Sequence, residues 1–179
     1  RRKFLVAIAV VSMGFFSSCD KCKDKTCENA ASCDKKTADC SNVCVNGGTS
    51  DASTGSCACP EFYNGGTCSN EVRNDYVGTY IGTSTYSTQG FTGNETDTFQ
   101  IGLSGTDAKI LIIDGDLPIE LTSNTAYKLS YIDNVDGEVD RIVGTGTFSS
   151  SSFTMDATVS GTDQGVTYTG TLKFTGTKK

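Results

Sequence analysis

The distribution of cysteine constrains the fold of this chain more than any other feature. All nine cysteines lie between Cys19 and Cys68, and the rest of the chain, as far as Lys179, has none. Cysteines crowded into about fifty residues are typical of a small module that cannot bury a sufficient core without disulfides. The later stretch is rich in Thr, Ser and Gly and alternates apolar with polar residues, as strands with one buried face do. We therefore predict two folding units, a disulfide-rich module over 27–70 and a β domain over 72–179.

The first eighteen residues have the pattern of an export signal. Three basic residues, Arg1 to Lys3, precede an apolar run from Phe4 to Phe16. A signal core needs about 7 to 15 apolar residues, whereas a helix that spans a bilayer needs about 20. We expect residues 1–18 to be a signal helix that is absent from the mature protein.

The apolar run ends in Phe16-Ser17-Ser18-Cys19, which resembles the lipobox of bacterial lipoproteins. The resemblance implies that Cys19 carries lipid and that residues 19–26 form a tether. Lipidation of Cys19 leaves eight cysteines, an even number suited to four disulfides; the alternative is an ordinary secretory signal with Cys19 in a disulfide. Residues 20–25 resemble the Lys/Asp-rich stretch that routes Gram-negative lipoproteins to the cell surface. We expect a surface-exposed outer membrane lipoprotein, with the periplasmic face as the alternative.

The end of the cysteine-rich stretch carries a second resemblance. The run from Cys57 to Cys68 fits the EGF-like ending C-x-C-x(5)-G-x(2)-C, and residues 44–49 resemble the C-x-N-G-G-T segment of EGF-like modules. Ser50 stands where a cysteine is expected, and Phe62 stands where glycine is usual. Spacing alone leaves 105 pairings open for eight cysteines. The EGF-like order implies the pairs Cys22–Cys33, Cys27–Cys40, Cys44–Cys57 and Cys59–Cys68.

Charge and composition exclude several kinds of partner and chemistry. Removal of residues 1–18 lowers the number of basic residues from 15 to 12 while the 21 acidic residues remain, which gives a net charge of −9. Nucleic acid and anionic headgroups need a basic patch, so we expect neither as a partner. The chain has no histidine, which removes Ser-His-Asp mechanisms and most catalytic zinc sites. We expect no cofactor and no metal; zinc held by the cysteines is the weaker alternative in an oxidising compartment.

The region 72–179 has the period of two that is typical of strands. From Val166 to Phe174 the even positions are apolar or glycine and the odd ones are Thr or Lys, and Phe153 to Val159 alternate in the same way. Turn signals such as Asp114-Gly115 and Asp136-Gly137 separate about eight strands. Short connections make neighbouring strands antiparallel, so we predict a mostly β meander that closes into a barrel or a two-layer sandwich.

Residues 76–80 (YVGTY) resemble the opening of lipocalin-like barrels, with Tyr in place of Trp. The alternative is a strand whose alternate aromatic residues only pack in the core. A barrel of eight strands either fills with side chains or holds one small ligand, and the bulk of the inward residues favours a filled interior. The inward set comprises Tyr80, Phe99, Ile101, Leu103, Tyr127, Leu129, Phe153, Met155, Tyr168, Leu172 and Phe174. The residues expected to line a ligand, if the barrel is hollow, are Tyr80, Phe99, Tyr127, Phe153, Tyr168 and Phe174.

Acidic clusters are the remaining chemical candidates. Residues 133–140 place several carboxylates in one hairpin, for which we expect a solvated turn rather than a calcium site because the D-x-D-x-D-G spacing is missing. Asp114 and Asp116 flank a glycine and are the carboxylate pair that a hydrolase would need. Our leading hypothesis is a non-enzymatic surface protein, anchored in the membrane by its lipid, that binds a protein or a glycan. A carrier of a small hydrophobic ligand is the second hypothesis, and a carboxylate hydrolase the third.

Overall fold

The computed structural model describes residues 27, 32–34, 39–135, 138–163 and 165–179. The predicted signal, the lipidation site Cys19, Cys22 and the tether lie outside these residues. Among the described residues no helix is long and apolar enough to cross a bilayer.

The cysteine-rich part contains short hairpins of two-residue strands, which disulfides hold together. The pairs are β1 (Ser32–Cys33) with β2 (Cys40–Ser41), β3 (Thr49–Ser50) with β4 (Cys57–Ala58), and β5 (Tyr63–Asn64) with β6 (Asn70–Glu71). Disulfides join Cys27 to Cys40, Cys44 to Cys57 and Cys59 to Cys68. These are pairs that the EGF-like order implies. Cys33 is also disulfide-bonded, and Cys22, its expected partner, lies outside the described residues.

Phe62 shows how the chain tolerates the loss of a usual glycine. It adopts a φ of 70°, the left-handed conformation that glycine takes freely. Such a φ costs a side-chain-bearing residue about 1–2 kcal/mol. Its ring is buried against the barrel core, and burying a Phe side chain stabilises the fold by about 1.5–3 kcal/mol. Contact with the barrel therefore offsets the backbone strain.

A 3₁₀ helix, Val72–Tyr76, leads into a closed antiparallel barrel of eight strands. Each strand pairs with the next along the chain, and the last pairs with the first, so the predicted meander barrel is confirmed. The strands are β7 (Gly78–Thr88), β8 (Phe91–Leu103), β9 (Ile110–Ile113), β10 (Leu117–Leu121), β11 (Ala126–Val135), β12 (Glu138–Phe148), β13 (Ser152–Asp163) and β14 (Val166–Lys178).

The alternation of apolar and polar residues along each strand determines which side chains point into the barrel and which point out of it. Tyr80, Phe153 and Phe174 are fully buried, while Thr and Lys at intervening positions are exposed. Leu103 is the exception among the residues expected inside, with 48% of its surface exposed. It is the last residue of β8, where the chain leaves the barrel, so the expectation for this residue was wrong.

The barrel has two ends that differ in what covers them. The near end is the one where β14 finishes and where the 3₁₀ helix and the β10–β11 loop lie. The far end carries the tight connections β7–β8, β11–β12 and β13–β14. The cysteine module is attached at the near end.

Candidate ligand cavity

The near half of the barrel is filled by aromatic rings. Phe153 lies at its centre with no exposed surface. Its ring centroid is 5.1 Å from that of Phe148, 5.5 Å from Phe174, 5.6 Å from Tyr80 and 5.7 Å from Tyr127. These separations are those of packed aromatic pairs, so this half has no room for a ligand.

The near end is also closed by the chain that enters the barrel. The ring of Tyr76 stacks on Phe148 at 4.5 Å, and its hydroxyl donates to the carbonyl oxygen of Asn124. The backbone N–H of Phe62 donates to Oδ1 of Asn124 over 2.8 Å. The module and the 3₁₀ helix therefore share one anchoring residue in the β10–β11 loop.

Arg73 locks the 3₁₀ helix to the β8–β9 loop. It is only 4% exposed, and its Nη1 donates to the carbonyl oxygens of Ser104 (3.1 Å) and Ile110 (3.0 Å). Nη2 donates to the carbonyl oxygen of Gly105 over 3.3 Å, and Nε pairs with Glu71 at 2.6 Å. Sequence reasoning missed this residue, because a single arginine between a module and a strand has no distinctive pattern.

The far half of the barrel contains a cavity of about 440 Å³. Its wall is formed by the inward side chains of β7, β8, β13 and β14. The apolar and aromatic part of the lining consists of Tyr86, Phe99, Val159, Tyr168 and Leu172. Glu95 and Asp97 supply its carboxylates. Pockets for small ligands have volumes of about 300–1,000 Å³ and this mixture of apolar wall and few polar groups.

Glycines opposite tyrosines shape the far half. Tyr86 is paired across the sheet with Gly93, and a Cβ at Gly93 would lie 2.8 Å from the ring. Tyr168 is paired with Gly161, where a Cβ would lie 2.6 Å from the hydroxyl oxygen. Each ring thus lies over a glycine, where a side chain would clash with it. Both tyrosine rings therefore pack against the barrel wall. The space between the walls stays open as a result.

Several hydrogen-bond donors at this end serve carboxylates of the protein. Ser84, which is buried, donates its hydroxyl to Oδ2 of Asp97 over 2.9 Å. The backbone N–H of Thr98 donates to Oδ1 of the same carboxylate over 2.8 Å. The hydroxyl of Tyr168 donates to Oδ1 of Asp140 over 2.6 Å. Glu95 is exposed at the mouth and makes no ion pair with any described residue.

A notch interrupts the wall beside the cavity. β9 and β10 are four and five residues long, whereas the other barrel strands have ten to thirteen residues. Residues 91–99 of β8 and 130–135 of β11 therefore each pair on one side only within the described sheet. We call the space between these two segments the wall notch.

Inward aspartates cap the two edges of the wall notch. Asp97 accepts the N–H of Thr98, and Asp133 accepts the N–H of Asn134 over 2.9 Å. Inward charge is one way in which proteins protect strand edges from pairing with another chain. Asp97 therefore has a structural role in addition to lining the cavity.

The residues expected to line a ligand separate into two groups. Phe99 and Tyr168 line the cavity. The others are fully buried among the aromatic rings of the near half and do not line it, because they fill the space themselves: Tyr80, Tyr127, Phe153 and Phe174. The expectation of a filled interior therefore applies to one half of the barrel only.

The acidic pairs singled out in the sequence lie apart from the cavity lining. Asp114 is in the β9–β10 turn, where its Oδ1 accepts the N–H of Gln100 over 2.7 Å. Asp133 and Asp140 are paired across β11 and β12. Among the described residues no group of three or more metal-ligating side chains is close enough to hold a metal ion.

Burial of the near-half tyrosines alters their acidity. Burial, together with the neighbouring Tyr76, raises the pKa of Tyr80 to about 12. Burial alone raises the pKa of Tyr127 further. Burial and the charge of Asp75 raise the pKa of Tyr76. All three hydroxyls donate to backbone carbonyls, so they act as structural donors.

Comparison with known proteins identifies no family. No protein-family model matches the chain, and no curated protein matches it. Among solved structures, the chain is similar to the crystal structure of a Bacteroides fragilis protein provisionally described as an outer membrane protein. The two share 16% sequence identity with a TM-score of 0.40, over 60% of this chain and 52% of that one. The chain thus matches about half the length of that protein, and this level of similarity assigns neither family nor function.

Proposed function

We propose that this protein is an exported, lipid-anchored binding protein whose barrel takes a small ligand in its far half. The observation that supports the proposal is the cavity of about 440 Å³ beside a near half that is packed. The packed half gives the cavity a rigid floor, and the apolar side chains of Phe99, Val159 and Leu172 offer it a surface to bury. No reaction is part of this proposal.

The proposed cellular location follows from the sequence. A basic n-region, a short apolar run and the lipobox-like ending at Cys19 support export and lipidation. The outward side chains of the barrel are largely threonine, which suits a wall in water, since a barrel embedded in lipid needs an outward apolar band. We propose that the lipid holds the near end towards an outer membrane and that the far end points away from it.

The closed near end gives the ligand one direction of entry. Tyr76, Phe62 and Asn124 block that end, whereas Phe91 and Glu95 at the far end are exposed to solvent. A ligand would enter at the end farthest from the membrane anchor. This arrangement favours capture from the surrounding medium over transfer from the anchoring bilayer.

Three one-ring probes of similar size test the proposal: tert-butylbenzene, phenyltrimethylammonium and benzenesulfonate. We expect at least one of them to bind and to shift the NMR methyl signals of Val159 and Leu172. Val159→Trp, which places an indole in the cavity, should abolish that binding. Thr158→Trp, whose ring would lie on the outer face of the same strand, should retain it. The proposal is wrong if no probe binds, or if the Val159 variant binds as the native protein does.

The apolar rim of the far end supports a second candidate, recognition of a protein or glycan partner. Large apolar side chains are exposed on all three far-end hairpins: Phe91 (58%), Ile132 (60%) and Val166 (69%). Exposed apolar clusters rimmed by polar residues mark interaction surfaces. A glycan array and a pull-down from envelope proteins, each repeated with a Phe91→Ser/Val166→Ser variant, test it. Binding that the variant retains unchanged would assign recognition to another surface.

A further inference from the structure

We infer that the cavity selects a small organic cation, an ammonium or guanidinium group on an apolar body; this inference rests on the proposed function and specifies its ligand. The carboxylates of Glu95 and Asp97 face the cavity, and no lysine or arginine is among the described residues that line it. Low-dielectric walls around charge of one sign concentrate the field and attract the opposite charge. An anion entering this space would meet repulsion and no basic partner.

The basic residues of the neighbouring strands are directed away from the cavity. Arg141 of β12 and Lys173 of β14 occupy positions of the outward register, one residue from the inward Asp140 and Leu172. Nζ of Lys173 pairs with Oδ2 of Asp156 on the outer face at 2.7 Å. The negative charge within the cavity is therefore not neutralised by these side chains.

The hydrogen-bonding groups of the cavity complement a ligand that donates. The hydroxyl of Ser84 donates to Asp97, and the hydroxyl of Tyr168 donates to Asp140, which lies outside the lining. A carboxylate has about four acceptor sites, so Glu95 and Asp97 retain capacity for a donor of the ligand. A ligand with N–H groups or a positive charge therefore complements these two carboxylates.

Aromatic faces add a second attraction for a cation. Tyr86, Phe99 and Tyr168 line the cavity, and Phe91 stacks on Tyr86 with ring centroids 5.6 Å apart. Aromatic faces attract ammonium groups, including quaternary ones that cannot donate hydrogen bonds. Phe91 and Glu95 are exposed at the mouth, so a cation would meet an aromatic ring and a carboxylate on entry and Asp97 farther inside.

The same three probes test the charge preference, because phenyltrimethylammonium and tert-butylbenzene have the same shape. Tyrosine fluorescence reports binding directly, as the chain has no tryptophan. We expect the cation to bind at least about tenfold more tightly than its neutral isostere, and benzenesulfonate to bind most weakly. Raising NaCl from about 0.05 to 0.5 M should reduce the preference several-fold, since screening weakens partly exposed pairs.

Glu95→Gln isolates the contribution of charge, because Glu95 is exposed and makes no ion pair that the fold needs. We expect the variant to lose about three- to tenfold in affinity for the cation and to bind tert-butylbenzene unchanged. Glu120→Gln, which removes a carboxylate from the outer-face pair with Lys128, should change neither affinity.

The outcomes separate this inference from the proposed function. If the neutral probe or the anion binds as tightly as the cation, the cation preference is wrong while a small-ligand site remains. Equal loss of both affinities in the Glu95 variant would also overturn it. If none of the three probes binds, the proposed function itself fails.

Discussion

At the scale of single residues, the barrel wall is shaped by tyrosines that lie across glycines. Tyr127 faces Gly146, and Tyr86 faces Gly93. In the near half this arrangement carries Tyr127 into the packed core, where it is 1% exposed. Glycine in a strand otherwise weakens it, so its presence here reflects the space that the rings need.

Gly146→Ala should destabilise the barrel markedly. A Cβ at this position would lie 2.0 Å from the carbonyl oxygen of Thr154 and 2.4 Å from the ring of Tyr127. Neither the sheet backbone nor a buried ring can move aside without loss of packing. We therefore expect a decrease of about 1–3 kcal/mol or more in the free energy of unfolding. Urea denaturation measures it. Gly102→Ala, whose Cβ would meet only a methyl of Ile112 at 3.3 Å, should cost little; equal costs would contradict the role assigned to Tyr127.

A fall in stability at alkaline pH is a second consequence of the buried tyrosines. The unfolded chain loses its tyrosine protons near pH 10, whereas the pKa of Tyr80 in the fold is about 12. The folded state thus binds more protons between these values, and linkage requires its stability to fall as pH rises from about 10 to 12. Urea midpoints across this range, with tyrosinate absorbance, measure the effect.

Tyr80→Phe should lessen that alkaline decline, since it removes one of the three tyrosines whose pKa burial raises. An alkaline decline that is identical in the native protein and the Tyr80 variant would assign it to other groups.

At the scale of elements, the near end depends on contacts between segments distant in the chain. Arg73 binds carbonyl oxygens of the β8–β9 loop, and Phe62 and Tyr76 bind Asn124 of the β10–β11 loop. These contacts make the last disulfide loop of the module, closed by Cys59–Cys68, a lid on the barrel.

Arg73→Lys should loosen this lid. A guanidinium fork serves three carbonyl oxygens and Glu71 at once, whereas an ammonium group is a point charge that cannot match that geometry. We expect a loss of about 1–3 kcal/mol, since buried acceptors are left without donors. The rate of hydrogen exchange at the backbone amides of residues 104–110 should also increase in this variant. Arg141→Lys, on the outer wall, should have no such effect; unchanged exchange in the Arg73 variant would show that the lid does not depend on the fork.

The sequence predicted the strands and which side chains point into the barrel, but not how far along the barrel axis each side chain lies. The period of two correctly assigns Tyr80 and Phe153 to the interior, because alternation follows from the pleat. Tyr80 and Tyr86 share that parity, yet one is in the packed half and the other lines the cavity. Their difference depends on register, since Tyr86 is paired with Gly93 and Tyr80 with Phe99, and only the paired strands reveal this. The short β9 and β10, and hence the wall notch, likewise follow from tertiary pairing.

At the scale of the whole molecule, the cysteine module and the cavity lie at opposite ends of the barrel. The cysteine module packs on the near end, and the cavity opens at the far end. The mature charge of −9 that the sequence predicts favours solubility and disfavours contact of the far end with anionic headgroups. These features fit a domain that is held on a membrane and directed away from it.

Lipidation of Cys19 is the prediction on which this orientation depends. Six described cysteines pair with one another, and Cys33 is also disulfide-bonded. Of nine cysteines, intrachain pairing then leaves one thiol unpaired, and we expect Cys33 to bond to Cys22 and Cys19 to carry lipid. Intact-mass spectrometry of the protein expressed in a Gram-negative host should show an N-terminus at Cys19 with an acyl adduct and four disulfides. Cys19→Ser should lose the adduct and the membrane association while keeping the four disulfides. An unmodified Cys19 found in a disulfide would instead indicate an ordinary secreted protein, and the far end would then have no fixed direction relative to a membrane.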